Sequence, residues 1–189
     1  MCSLPRLLVL FVSMLSLTAV AADKYTCVAA PNPPKLPVTR PSGRTFPGNK
    51  VKVAQLAGVS DTWKETRHEV AAVPAGTMVE LLEDLIVVDA PDVVWVSAAI
   101  EEMNLKQGDT ILRYARLGEG SADLWTDGCW YKDARADFVV EPDGAGCGGE
   151  NCTAKVTKMG RQMWWFRIKL PNGKTGWTLS QSLDLSAGG

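Results

Sequence analysis

The chain has 189 residues, of which 46% are hydrophobic and 22% are charged, and its 20 Lys and Arg are balanced by 21 Asp and Glu. The formal net charge of −1 and the lack of a basic cluster argue against nucleic acid as the main partner, because phosphate binding relies on concentrated positive charge. The chain also has no heptad pattern, which argues against a coiled coil.

The first 21 residues predict a signal peptide. Arg6 supplies a positive charge, residues 7–20 form an uncharged apolar run, and residues 19–21 (Ala-Val-Ala) match the small-x-small cleavage pattern. As a helix the run would reach about 21 Å, short of the roughly 30 Å hydrocarbon core of a membrane. A retained membrane anchor is the alternative. We therefore expect export to the periplasm or the extracellular space, with no membrane contact after cleavage.

Four cysteines remain after that cleavage: Cys27, Cys129, Cys147 and Cys152. An even number in an exported chain predicts two disulfides, and four cysteines allow three pairings. The two glycines that follow Cys147 let the backbone bend back, which favours Cys147–Cys152 and leaves Cys27–Cys129 as the second bond. A metal site is the rival interpretation, but the chain has one histidine and no CxxC pair. We expect neither a metal nor a cofactor.

Residues 22–47 predict a proline-rich tether between the signal peptide and the folded part. Proline removes amide donors and holds the chain extended, and few apolar residues are present here to be buried. A passive spacer is favoured, and a proline-rich ligand for a partner is the alternative. The prolines are Pro31, Pro33, Pro34, Pro37, Pro41 and Pro47.

Residues 48–106 predict a β-rich N-terminal part. A strand is expected at 51–56, and the β-branched runs at 86–88 and 93–96 flank a turn at 89–92. This pattern favours a hairpin over a helix.

Residues 107–187 predict a meander of short antiparallel strands. Strands are expected at 108–117, 122–126, 138–140 and 153–158, and Asp127-Gly128 is typical of a two-residue hairpin turn. A second hairpin, residues 164–177, has Asn172-Gly173 as its turn. The whole folded region is therefore expected to be all-β.

The first strand of that second hairpin alternates in character. One face is apolar and is expected to be buried, whereas the other places a large aromatic ring among cations. The first set is Trp164, Phe166, Ile168 and Leu170, and the second is Trp165, Arg167 and Lys169.

This hairpin resembles the bacterial SH3-like (SH3b) domains. The matching residues are 165–170 (Trp-Phe-Arg-Ile-Lys-Leu) and 172–177 (Asn-Gly-Lys-Thr-Gly-Trp), and residues 108–120 followed by Trp125 are similar to an earlier strand pair of exported SH3-like proteins. The resemblance covers residues 107–185 and implies a small SH3-like barrel. Residues 48–106 either complete this barrel or form a second, diverged copy of it.

The resemblance also points to a binding surface, since the matching tryptophan of SH3 folds often lines the ligand groove. Trp165 could stack on a peptide or a sugar ring, and Arg167 and Lys169 could meet its carboxylates, with Trp177 as a further candidate contact. The alternative for Trp165 is that it packs under a neighbouring loop.

A catalytic set is not expected. Many SH3b-like modules accompany cysteine peptidases of the cell wall, which need a thiolate and a histidine. His68, the sole histidine, lies in a polar stretch, and the cysteines are expected to be oxidised. The hypothesis is therefore a non-catalytic binding module of the cell envelope that contacts peptidoglycan stem peptide or an envelope protein. The alternative is a periplasmic interaction or inhibitor protein that acts on an envelope enzyme.

Overall fold

A computed structural model describes residues 25–42, 48–118, 120–147 and 152–186. Within these ranges nearly all regular structure is β-strand, as the sequence predicts, and two short 3-10 turns lie at Glu101–Met103 and Ser180–Ser182. None of the helices in the described ranges is long and apolar enough to span a membrane. The predicted signal peptide lies outside the described residues.

Fifteen strands follow one another in the described ranges of the chain. They are β1 (Val28–Ala29), β2 (Val38–Arg40), β3 (Lys50–Val53), β4 (Ala57–Ser60), β5 (Glu69–Val73), β6 (Met78–Ala90), β7 (Asp92–Val96), β8 (Thr110–Gly118), β9 (Ser121–Thr126), β10 (Cys129–Arg135), β11 (Val139–Val140), β12 (Ala154–Lys158), β13 (Arg161–Lys169), β14 (Thr175–Leu179) and β15 (Leu183–Asp184).

The strands form two curled, largely antiparallel sheets of half-barrel shape. The seven-stranded sheet has the order β1-β10-β9-β8-β7-β12-β11, and its only parallel pair in the described residues is β11 with β12. The eight-stranded sheet has the order β15-β3-β6-β13-β14-β4-β5, with β2 added to the edge of β6. Each sheet covers its own apolar core.

A third apolar cluster contains residues of both sheets. Ile86 and Val88 of β6 pack there with Tyr114 of β8 and Trp130 of β10, whose rings meet edge to face at 5.0 Å. Burial of these side chains favours association of the two sheets, because apolar surface is removed from water on both.

Two of the chain crossings between the sheets lie side by side in the described residues. Pro91 alone separates β6 from β7, and Met159 and Gly160 separate β12 from β13. Because β6 pairs with β13 and β7 pairs with β12, the two crossings run antiparallel to each other. A Cβ at Gly160 would lie 2.2 Å from the Ala90 carbonyl oxygen, so the close approach of the crossings requires glycine.

Two buried charged side chains, Asp92 and Arg113, form hydrogen bonds at the same crossing. The Gly160 N–H donates to Asp92 Oδ1 at 2.7 Å, and Arg113 Nε donates to Asp92 Oδ2 at 2.8 Å. Arg113 also forms a bidentate pair with Glu141 at 2.6 and 2.9 Å. Burial alone would lower the pKa of Arg113, but the hydrogen bonds and charges of Glu141 and Asp92 outweigh this and raise it above the ordinary value.

This crossing corrects the predicted hairpin at residues 89–92. β6 and β7 do not pair with each other, because Asp92 turns inward to Arg113 and the chain enters the other sheet. The predicted boundary between an N-terminal part and an SH3-like domain, at residues 106/107, also differs from the structure. It falls between β7 and β8, which pair in one sheet. The described part of residues 107–187 is divided between the two sheets, since β13, β14 and β15 return to the sheet that contains β3.

The proline-rich segment is part of the fold, which corrects the prediction of a passive tether. In the described part of that segment, β1 pairs with β10 and β2 pairs with β6, so residues 25–42 contact both sheets. We call these residues the arm. Trp125 Nε1 donates to the Ala30 carbonyl at 2.8 Å, and Arg40 forms ion pairs with Asp123 and Asp133. The prolines hold the arm extended. Backbone pairing, polar side-chain contacts and the Cys27–Cys129 disulfide attach it, together with the buried Tyr25 ring, which contacts Tyr131 and Phe138.

Both disulfides occur in the favoured pairing, Cys27–Cys129 and Cys147–Cys152, and they are compatible with an oxidising compartment. The Asp127-Gly128 turn is also as predicted, with positive φ at both residues. The final hairpin is present, but its loop has three residues, because Leu170 N donates to the Lys174 carbonyl and only Gly173 of the loop has positive φ. Pro171 suits the first central position of the turn, and Gly173 supplies the left-handed residue that follows.

Candidate functional site

Trp165 does not form an exposed platform. It is 4% exposed, and the loop between β4 and β5, residues 61–68, folds over the outer face of the eight-stranded sheet at this point. The Arg67 guanidinium lies 5.4 Å from the centroid of the Trp165 ring. The prediction that Trp165 is exposed is therefore wrong. The alternative is correct, since Trp165 packs under a neighbouring loop.

The other three predicted site residues lie on the same outer face, farther along the hairpin. Arg167 and Lys169 are exposed and pair with carboxylates of β6, at 3.0 Å to Glu83 and 3.4 Å to Glu80. Trp177 is half-buried directly across from Arg167. From Phe166 onwards, the alternation in the sequence thus predicts correctly which side chains are buried and which are exposed. Both exposed cations, however, already have carboxylate partners. No concave site joins them to Trp165 among the cavities described below.

A groove of about 770 Å³ opens beside this region. Its floor is the outer face of β6 and β13, where Val87 stands opposite Met163. One wall is the loop of residues 61–68, and the arm adds Pro37. We call this the β6–β13 groove, and its lining residues are Pro37, Trp63, Lys64, Glu65, Arg67, Val87, Asp89, Arg161 and Met163.

The loop that forms the wall is closed at its base and is exposed along most of its length. The Asp61 N–H donates to the His68 carbonyl at 3.0 Å, and the His68 N–H donates to Asp61 Oδ1 at 2.9 Å. The second bond is the main reason that the pKa of Asp61 lies below its ordinary value. Trp63 is half-buried and Lys64 is exposed. The base of the loop is therefore tied to itself, and its middle part is free to present side chains to the groove.

The groove carries three cations and two carboxylates. Arg161 pairs with Asp89 at 3.0 Å, whereas Lys64 and Arg67 have no carboxylate partner among the described residues. Apolar side chains on the floor and unpaired cations on the wall are a combination that suits a ligand with both an apolar portion and a carboxylate.

Two further cavities are less suited to a charged ligand. One of about 690 Å³ lies between the arm and β10, and its Arg40 is bound to Asp123 and Asp133. Another of about 420 Å³ lies beside the crossing, and its Arg113 is bound to Asp92 and Glu141. These two arginines are already neutralised.

His68 lies at the base of the loop with its side chain 81% exposed, and its Nδ1 is 3.9 Å from Asp61. All four described cysteines are in disulfides. In the described part of the chain, no group of three or more His, Cys, Asp and Glu side chains is placed to hold a metal ion.

Sequence reasoning missed most of the groove. Trp63, Met163 and Val87 come from three separate segments that the strand register and the β4–β5 loop bring together. A usable signal was present in Trp63, an aromatic residue within the polar stretch of residues 60–72, where a solvated loop has no need of a large ring.

The chain was compared with known proteins in three ways, and no family model, no curated protein and no solved structure matches it.

Proposed function

We propose that the protein is an exported, non-catalytic binding module of the cell envelope, and that its β6–β13 groove holds the peptide stem of peptidoglycan. The observation that carries this proposal is the groove itself, in which Trp63 and Met163 lie next to the unpaired cations Lys64 and Arg67.

The chemistry of a stem peptide fits these features. Its short side chains and methyl groups would lie against the floor and the Trp63 ring, and its carboxylates would meet the two cations. The SH3b resemblance of the final hairpin supports the same class of ligand. The apolar run at the start of the chain and the two disulfides support an envelope location.

The proposal is tested by retention of the purified protein on insoluble peptidoglycan. We expect the parent protein to be retained, and Trp63→Ala and Lys64→Glu to reduce the retained fraction several-fold. Arg167→Ala is the matched control, because Arg167 is an exposed cation of the same sheet that does not line the groove. All variants should keep the far-ultraviolet circular dichroism of the parent, which separates loss of binding from loss of fold.

If the parent protein is not retained, the peptidoglycan proposal is wrong. Co-purification of one stoichiometric protein from envelope extract, with no retention on the wall, would instead favour the interaction or inhibitor alternative. Loss of retention for Arg167→Ala without loss for Trp63→Ala would place binding on the hairpin face rather than in the groove.

A further inference from the structure

The Trp165 side chain combines burial with an unsatisfied hydrogen-bond donor. It is 4% exposed, and its Nε1 is the only buried side-chain nitrogen or oxygen in the described residues that lacks a hydrogen-bond partner. A buried donor without a partner has lost its hydrogen bonds to water and gained none in return, so an unpaired one in a folded protein calls for a reason. The neighbouring Trp164 shows the usual arrangement, because its Nε1 donates to Asp84 at 2.9 Å.

Strand register makes Trp165 the next floor position of the β6–β13 groove. Along β13, Met163 and Trp165 are two residues apart and share the outer face, and they stand opposite Val87 and Leu85 of β6. The open floor ends at Met163, and at the next position Arg67 of the loop lies over the Trp165 ring.

The Arg67 side chain, the part of the loop that lies over Trp165, is held by few interactions. Arg67 is an exposed residue whose guanidinium has one hydrogen bond in the described residues, a long one of 3.4 Å from Nη1 to the Lys64 carbonyl. It has no carboxylate partner there. At an exposed site, stacking of a guanidinium over an indole is weaker than a charge-assisted hydrogen bond to a carboxylate.

We infer that Trp165 is a latent ligand contact of the β6–β13 groove, covered by Arg67 in the free protein and uncovered when Arg67 binds a ligand carboxylate. The indole N–H then donates to a carbonyl or carboxylate oxygen of the same ligand. This inference rests on the proposed function and adds to it the chemistry that the groove selects, which is a ligand with a carboxylate and a second oxygen acceptor.

The test follows the indole N–H signals of uniformly ¹⁵N-labelled protein during titration with soluble muropeptides from digested cell wall. Trp165→Phe assigns the Trp165 signal. We expect that signal to move downfield on titration, and the same muropeptides with their carboxyl groups amidated to leave it in place. Trp165→Phe, which keeps a ring but removes the N–H, should weaken muropeptide binding about 3- to 10-fold.

A second measurement needs no ligand. Arg67→Ala should speed the exchange of the Trp165 indole hydrogen with solvent, and Lys64→Ala, on the same loop, should leave it near the parent rate. If Arg67→Ala leaves the exchange rate unchanged, Arg67 is not the cover, and this contradicts the inference.

The two proposals fail in different ways. If muropeptides shift no signal of the groove, the proposed function is wrong, and the inference is wrong with it. If they shift backbone signals of residues 63–67 and Met163 but leave the Trp165 indole unmoved, the groove binds ligand and the inference alone is wrong.

Discussion

Trp164 and Trp165 are adjacent in the chain but have different polar surroundings. Trp164 packs against two of the three apolar clusters and donates to the buried Asp84, whereas the Trp165 N–H has no partner in the described residues. Alternation along a strand predicts that the two side chains point to opposite faces. It does not predict that a loop 100 residues earlier covers one of them, because that depends on tertiary packing.

This difference predicts unequal effects of the same substitution on stability. Trp164→Phe and Trp165→Phe remove the same part of an indole, but only Trp164→Phe deprives the buried Asp84 carboxylate of a donor. We therefore expect Trp164→Phe to lower the free energy of unfolding by about 1–2 kcal/mol more than Trp165→Phe does. Urea denaturation of both variants measures the difference. Equal losses would mean that the Trp164–Asp84 hydrogen bond contributes nothing net.

At the scale of elements, strands with clear alternation or a glycine turn could be predicted from the sequence. β9 and β10 with their Asp127-Gly128 turn are examples, since a turn of this kind depends on neighbouring residues only. The β6–β7 crossing could not be predicted in the same way. Asp89 to Asp92 reads as a turn, and only the distant Arg113 and Gly160 show why the chain continues into another sheet instead.

The crossing yields a prediction at Gly160. A methyl group there would meet backbone atoms of Ala90, Pro91 and Asp92 at 2.2–2.7 Å, and backbone cannot move away cheaply. We expect Gly160→Ala to lower the free energy of unfolding by about 3 kcal/mol or more.

Gly58→Ala is the matched control for this prediction. Gly58 lies in β4, and the nearest atom to its added methyl group is the flexible Glu69 carboxylate at 3.2 Å. Its cost should stay below about 1 kcal/mol. If Gly160→Ala and Gly58→Ala lower the denaturation midpoint equally, this result contradicts the close packing of the two crossings.

At the scale of the whole molecule, the arm and its disulfide tie together parts of the chain that are far apart. Cys27–Cys129 spans 102 residues, whereas Cys147–Cys152 spans 5. The composition of the arm predicts an extended chain correctly. That it pairs with both sheets could not be predicted, because strand pairing at an edge depends on which edge the rest of the fold leaves open.

The two spans predict different losses of stability when each disulfide is removed. In the chain-entropy account, a loop of about 100 residues gives roughly 4.7 kcal/mol of stabilisation and a loop of about 5 gives roughly 2 kcal/mol. We therefore expect Cys27→Ser with Cys129→Ser to cost about 2–3 kcal/mol more than Cys147→Ser with Cys152→Ser. Thermal or urea unfolding of the two double variants measures this, and a larger loss for the short loop would contradict the role assigned to the arm.

The candidate site combines features of all three scales. The sequence indicates an aromatic and cationic binding face on the final hairpin, but the structure moves the candidate site to the groove beside it, because Arg167 and Lys169 are paired and Trp165 is covered. A local sequence pattern does not predict which cations lack an ion-pair partner, because ion pairing depends on which residues the fold brings together.

The most direct test of this account is to map muropeptide binding on the backbone amide signals of the ¹⁵N-labelled protein. The account predicts shifts grouped at residues 63–67 of the loop and at Val87 and Met163 of the floor, with Arg167, Lys169 and Trp177 little changed. Shifts grouped at those last three residues, or no shifts at saturating muropeptide, would contradict it.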